Sequence, residues 1–259
     1  MAAKTQIRDR FALITGASTG IGYAIAEQLA TRGAHLVLVA RTAAALDDAA
    51  ARLRAQYGVT VHTMPMDISA PGAPSLVVDK LAAEHIEIEI LVNGAGCYER
   101  GLVVDSDPAR LRAVVDLNAG ALTELTAALL PTMTQRGHGA IINIASTGAY
   151  VPAPHLAVYS ASKAFVRSFT EALWAETRHS GVRVVAVSPG PTQTPMNPRS
   201  TPLTRQPGQV AATALRALDR SGPAVIDGGV NALSSHVFRL LPGRAAATLA
   251  GALAERMRF

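Results

Sequence analysis

Short apolar runs rich in β-branched residues alternate along this chain with longer stretches in which alanine and leucine recur at helical spacing. Phe11–Thr15, His35–Ala40, Val59–Met64, Ile88–Asn93, Ala140–Ala145, Val182–Ser188 and Pro223–Ile226 read as strands. They are largely continuous in their apolarity, as strands covered on both faces are. Between them Ile21–Thr31, Ala43–Tyr57, Leu76–Glu84, Asn118–Arg136 and Ser160–Ser180 read as helices. Each is expected to end in or near a glycine, which reaches the left-handed conformation that stops a helix. Strand–helix alternation implies right-handed crossovers and a parallel sheet. The expected fold is a doubly wound α/β domain of seven parallel strands with helices on both faces. No repeat, low-complexity tract or linker divides the chain, so residues 1–259 are expected to form a single domain.

Composition narrows the class. With 49% hydrophobic and 17% charged residues, the chain has enough apolar material for a large core and is no disordered tail. A formal charge of +5 raises the question of nucleic acid. Lysine and arginine are scattered, without the basic run or stripe that a nucleic-acid face needs, so no nucleic-acid partner is expected. A modest positive excess also suits a polyanionic cofactor. Cys97 is the sole cysteine, which excludes an intrachain disulfide and fits a reducing compartment. The first ten residues lack a signal-peptide pattern, and no stretch of transmembrane length stays free of charge and polar breaks. The expected location is therefore cytoplasmic. The seven histidines are not spaced as metal ligands, and one cysteine cannot complete a cluster, so no metal site is expected.

Chemistry concentrates in a few motifs. The first strand runs into Thr15-Gly16-Ala17-Ser18-Thr19-Gly20-Ile21-Gly22 and then directly into a helix. Glycines there let backbone approach a pyrophosphate, and the helix start favours its negative charge. The second strand ends in Val39-Ala40-Arg41-Thr42, where an NAD-binding protein would typically place an acidic residue for the ribose hydroxyls. A guanidinium at that point, with no carboxylate to repel the additional phosphate of NADP, makes that cofactor the better fit, and a solvated loop arginine is the alternative. Tyr159 and Lys163 stand four residues apart and share a face if the stretch is helical. A neighbouring ammonium would stabilise a phenolate and lower the tyrosine pKa, making the phenol a usable acid or base.

The spacing of the glycine turn, with three residues between its first two glycines, resembles the short-chain dehydrogenase/reductase family. The resemblance runs from about Phe11 to Met196. It implies a Rossmann-type fold, NADP(H) as cofactor, and hydride transfer between the nicotinamide and a ketone or secondary alcohol. Ser146, thirteen residues before Tyr159, and Asn118, in Asp116-Leu117-Asn118-Ala119-Gly120, match the other two family positions of a catalytic set with Tyr159 and Lys163. In the implied roles Tyr159 exchanges the proton and Ser146 holds the substrate oxygen. Lys163 tunes the phenol and holds the nicotinamide ribose, and Asn118 anchors a water of the proton relay. The cofactor residues implied are Gly16, Ser18, Thr19, Gly20, Ile21, Gly22, Arg41, Asp67, Asn93, Gly94, Ala95, Tyr159, Lys163, Pro189, Gly190, Thr192 and Thr194. Asp67 matches the contact to the adenine edge, and Asn93-Gly94-Ala95 the family's N-A-G turn. Pro189, Gly190 and Thr194 match the contacts to the nicotinamide carboxamide. Asp67 and Thr192 read equally well as turn formers.

Some features stay open. Residues 197–209 are expected to cover a substrate that a chemically mixed loop does not identify, although the apolar C-terminus suits a hydrophobic carbonyl compound. Residues 231–259 form a helical extension for which a cap or dimer contact, a substrate lid and a peripheral membrane contact are all available. Cys97 is expected as a small buried residue, Ser160 and Ser162 as packing or polar neighbours, and Trp174 on a helix packing surface. The family resemblance implies a homodimer or homotetramer. A catalytically silent NADP-binding regulatory protein is the alternative of a different class. A sugar-nucleotide epimerase or dehydratase would need a longer substrate domain.

Overall fold

A computed structural model of the chain describes residues 5–198, 200–201 and 203–256. Arg199 and Pro202 of the expected substrate segment, and residues 257–259 of the C-terminal extension, lie outside them.

The seven strands are β1 (Phe11–Thr15), β2 (His35–Ala40), β3 (Val61–Pro65), β4 (Ile88–Asn93), β5 (Gly139–Ile144), β6 (Val182–Ser188) and β7 (Ala224–Ile226). They form one parallel sheet in the order β3-β2-β1-β4-β5-β6-β7. Order reverses between β1 and β4, and loops leaving the carboxyl ends of the strands at such a point open a crevice.

Helices cover both faces: α1 (Gly20–Ala30), α2 (Ala43–Tyr57), α3 (Ala73–Ala83), α4 (Pro108–Val115), α5 (Leu122–Arg136), α6 (Ala157–Thr177), α7 (Pro207–Ala217), α8 (Gly229–Leu240) and α9 (Gly243–Arg256). Alternate strand residues divide between the two layers. Ile14, Leu38, Val92 and Ile142 pack on α1, α2 and α7. Leu13, Val39, Leu91 and Ile141 pack on α3, α5 and α6, where the half-buried Trp174 joins the same core. This two-sided burial is the physical reason for the continuous apolarity of the strands.

Several boundaries move. Asp107 accepts a hydrogen bond from Ala109 N (2.9 Å), and Pro108 occupies the first helical position. The chain is therefore helical from Pro108 to Arg136, and Asn118 lies inside that run rather than at its start. By length and composition this run also passes as a candidate membrane span, although Asp116 and Glu124 interrupt it. It belongs instead to the core through Leu125, Leu129 and Met133, and 44% of its apolar window is buried. Helix α3 stops without a glycine, because His85 itself takes the left-handed conformation (φ 53°). Helix α6 starts three residues earlier than expected, which brings Tyr159 into its first turn.

Candidate active site

The turn after β1 and the loop after β4 meet backbone to backbone. Gly16 has φ +68°, and a Cβ on it would stand 2.9 Å from Gly94 O and Ala95 Cα. A Cβ on Gly22 would run into Gly16 O, and one on Gly94 would lie 2.8 Å from Thr15 O. Thr15 Oγ1 fastens the junction by accepting from the N–H groups of Gly94 and Ala95, at 3.1 Å each. Thr19 occupies the N-cap position of α1 in extended conformation, no side chain caps the helix, and its first turn holds no acid. The amides of that turn, Ile21 among them, thus form an electropositive floor beside half-buried Ser18. Gly20 faces Thr194, whose methyl would lie 3.1 Å from an added Cβ.

Around this cradle the remaining cofactor candidates take different postures. Arg41 is exposed at the carboxyl end of β2. The Asp67 carboxylate receives Ser69 N (3.0 Å) and Ser69 Oγ (2.7 Å), closing its own turn. Those bonds, and then the Arg41 guanidinium, hold it below the usual carboxylate range. The Asn93 side chain turns inward, donating to Thr126 Oγ1 (3.0 Å) and Asn143 Oδ1 (2.9 Å). Its side chain braces β4, β5 and α5, while the following Gly94 and Ala95 carry backbone to the crevice. Thr192 Oγ1 donates to Gly190 O (3.0 Å) and is buried, which is a turn-forming posture. Pro189 O accepts from Thr147 N (2.8 Å).

Asn118, Ser146, Tyr159 and Lys163 are brought to one place. Asn118 lies in a π-bulge, Asp116–Ala121, between α4 and α5. Such a bulge is a common device for presenting a side chain at a site. Its Nδ2 donates to Cys97 O and Ser162 Oγ, and its Oδ1 accepts from Cys97 N, all at 2.9 Å. Ser162 is therefore more than a packing neighbour: it links Asn118 to Tyr159 O through a 2.7 Å bond. Lys163 is 5% exposed, donates from Nζ to Ile144 O (2.8 Å) and lies 6.0 Å from the Tyr159 ring centre. A Cβ on Gly96 would stand 3.4 Å from that Nζ, so glycine keeps the approach to the ammonium open. Cys97 is half-buried rather than buried.

Burial decides the ionisation. Loss of water pushes Lys163 down from 10.5 to about 8. It also pushes the Tyr159 phenol up; the bond to Ser146 pulls it down, and Tyr98 raises it. Desolvation of the phenolate is the largest of these effects, so the phenol lies above its ordinary value rather than below it, the reverse of the direction expected from sequence. With its pKa raised from 10.0, the phenol holds its proton at neutral pH.

Other contributors carried no local signal. Tyr98 meets the Tyr159 ring edge-on at 6.0 Å, and its hydroxyl donates to Met196 O (2.9 Å), tying the β4 loop to the β6 loop. Arg205, within the expected substrate segment, donates from Nε and Nη2 to the fully buried Asp227 (2.8 and 3.1 Å). Thr213 Oγ1 adds a 2.6 Å bond to the same carboxylate. Asn231 fills the space beside Gly190 that a Cβ would need. Side chains this far apart in sequence meet only after the sheet has formed.

The family described as short chain dehydrogenase matches residues 10–203, three quarters of the chain. The chain belongs to the short-chain dehydrogenase family. It is an α/β oxidoreductase of that family, and its fold and glycine turn agree with membership. An uncharacterized oxidoreductase of Staphylococcus saprophyticus is 35% identical over 192 residues, covering 74% of this chain and 82% of the relative. Among solved structures, a short-chain dehydrogenase from Sphingobium yanoikuyae in complex with NADPH superposes with a TM-score of 0.79 and 34% identity, covering 90% of this chain and 96% of that one. A bulky-bulky ketone specific alcohol dehydrogenase from Comamonas testosteroni gives 0.77 and 31%, covering 90% and 95%.

Proposed function

We propose that this short-chain dehydrogenase is an NADP(H)-dependent carbonyl reductase, or in reverse a secondary-alcohol dehydrogenase, with Tyr159 as the acid/base. The observation that carries the reading is the convergence of Asn118, Ser146, Tyr159 and Lys163 on one site, with an ammonium buried beside a protonated phenol. Residues 1–259 act as one domain that binds cofactor and substrate.

The cradle fits a dinucleotide. Positions where any Cβ would strike backbone, beside an uncapped helix start, leave room and positive potential for a pyrophosphate. Exposed Arg41 suits the additional phosphate of NADP, in keeping with the NADPH of the Sphingobium neighbour. Asp67 would meet the adenine edge, and the turn from Pro189 to Thr194 the carboxamide. When bound, NADP(H) supplies or accepts the hydride.

The chain's own residues do the rest. The Tyr159 phenol gives its proton to the carbonyl oxygen, and the Ser146 hydroxyl donates to the same oxygen, fixing its position. Lys163, anchored on Ile144 O, would hold the ribose hydroxyls of the bound cofactor, and its charge favours the phenolate as it forms. Asn118, with both side-chain atoms engaged by the Cys97 backbone, holds the bulge open for the water that returns a proton to Tyr159. A hydrophobic ketone suits Met196 and Leu203, which are exposed on the loop after β6, and the Comamonas neighbour acts on bulky ketones. Exposed Val115 and Phe165, on α4 and α6, suit assembly as a homodimer or homotetramer.

The test is cofactor oxidation across a panel of aliphatic, aromatic and fatty-acyl ketones. The proposal predicts NADPH consumption with at least one ketone and slower consumption of NADH. Tight NADPH binding without turnover on any ketone would favour the silent regulatory reading instead.

A further inference from the structure

We propose that the outer face of α8 and α9 docks this protein on an anionic lipid bilayer, with the active-site end of the sheet toward the membrane. Several of the large apolar side chains exposed among the described residues lie on α8 and on the loops that follow the strands. Helix α8 carries four of them, Val230, Leu233, Val237 and Leu240, spaced so that they share one face. Its opposite face is already used: Ser235 is buried, and Asn231 donates to Asp227 O (2.8 Å). The stripe therefore points away from the protein, and Leu240 at its end is 86% exposed.

The loops beside these helices add to the same surface. Val104, also 86% exposed, follows β4, with exposed Asp105 and Asp107 behind it as the acidic margin of the apolar face. These pieces are tied into one rim. Tyr98 OH donates to Met196 O (2.9 Å), Gly101 N donates to His155 O (3.0 Å), and Pro154 lies against Gly251 of α9. Each piece follows the carboxyl end of a strand, the end that carries Tyr159.

Charge selects the occupant. Across α8 and α9 the sequence holds one carboxylate, Glu255, at the far end of α9, against Arg239, Arg244 and Arg256. Arg239 and Arg244 are exposed, and neither forms an ion pair among the described residues. A second copy of this face would set like charge against like. Anionic headgroups over an acyl layer match both the arginines and the apolar stripe.

The proposal stands independently of catalysis, so its test needs no turnover. Full-length protein is sedimented with phosphatidylcholine vesicles and with vesicles containing phosphatidylserine. Binding is expected to the second kind and to weaken at high salt. Leu233→Glu/Val237→Glu/Leu240→Glu and, separately, Arg239→Glu/Arg244→Glu should each lower the affinity at least about tenfold. Because these side chains are exposed, the melting curves should be unchanged. No sedimentation with phosphatidylserine vesicles, or equal binding by folded variants, overturns the proposal. So does a fall in oligomeric mass by light scattering in the leucine variant with no lipid binding by the parent, which would assign the face to a second copy.

Discussion

Replacing Lys163 by methionine should make the protein more stable at neutral pH while removing its activity. The ammonium is 5% exposed and its pKa is pulled from 10.5 to about 8. That depression corresponds to a folding penalty of about 3 kcal/mol at about pH 7. Methionine fills a similar volume without charge but leaves Ile144 O without its 2.8 Å donor, a loss of about 1–2 kcal/mol. The net expectation is a gain of about 1–2 kcal/mol, or a Tm higher by about 2–4 °C. The sign depends on pH. The penalty is complete below the folded pKa of about 8 and fades as pH rises toward 10.5, where lysine is neutral in the unfolded chain as well. The advantage of Lys163→Met should therefore shrink and then reverse between about pH 8 and pH 11. Urea unfolding of both proteins across that range measures the difference. A variant less stable than the parent at neutral pH, or a difference that ignores pH, would refute the reasoning.

Four other substitutions follow from the geometry. Arg205→Ala strands the buried Asp227 carboxylate and should cost about 3 kcal/mol in urea unfolding. Asp227→Asn should cost less, since it leaves a partly exposed guanidinium that water can reach; the opposite order would refute the buried-charge argument. Arg41→Asp should raise the KM for NADPH by about tenfold or more and improve the use of NADH, and an unchanged NADPH KM would remove Arg41 from the cofactor site. Tyr98→Phe frees Met196 O and should raise the ketone KM about threefold to tenfold, with kcat nearly unchanged. A loss confined to kcat would instead place Tyr98 in the proton transfer.

Much of the architecture was legible because two-sided burial leaves a direct mark: β1, β2 and β4 are apolar at nearly every position, and glycine marks the turn after β1. That Ser146, Tyr159 and Lys163 come together was legible because Tyr159 and Lys163 lie one helical turn apart and Ser146 follows a strand. Helix α4 escaped notice because Arg110 and Arg112 interrupt its apolar pattern and Asp116 follows it, so Asn118 looked like a helix start rather than part of a bulge. The Tyr98–Met196 and Arg205–Asp227 links join residues from separate crossovers, and no local pattern encodes them. The direction of the tyrosine shift was hidden for a related reason. Sequence spacing brought a charge near the phenol, but the extent of dehydration depends on how α6 packs against the loops after β5 and β6.

The central claim is that Tyr159 donates the proton, and Tyr159→Phe tests it with the loss of one oxygen atom. NADPH affinity, measured by fluorescence titration, should change by less than about threefold, while turnover on any accepted ketone should fall by about a hundredfold to ten-thousandfold. Turnover close to that of the parent protein, with NADPH still bound, would contradict the account.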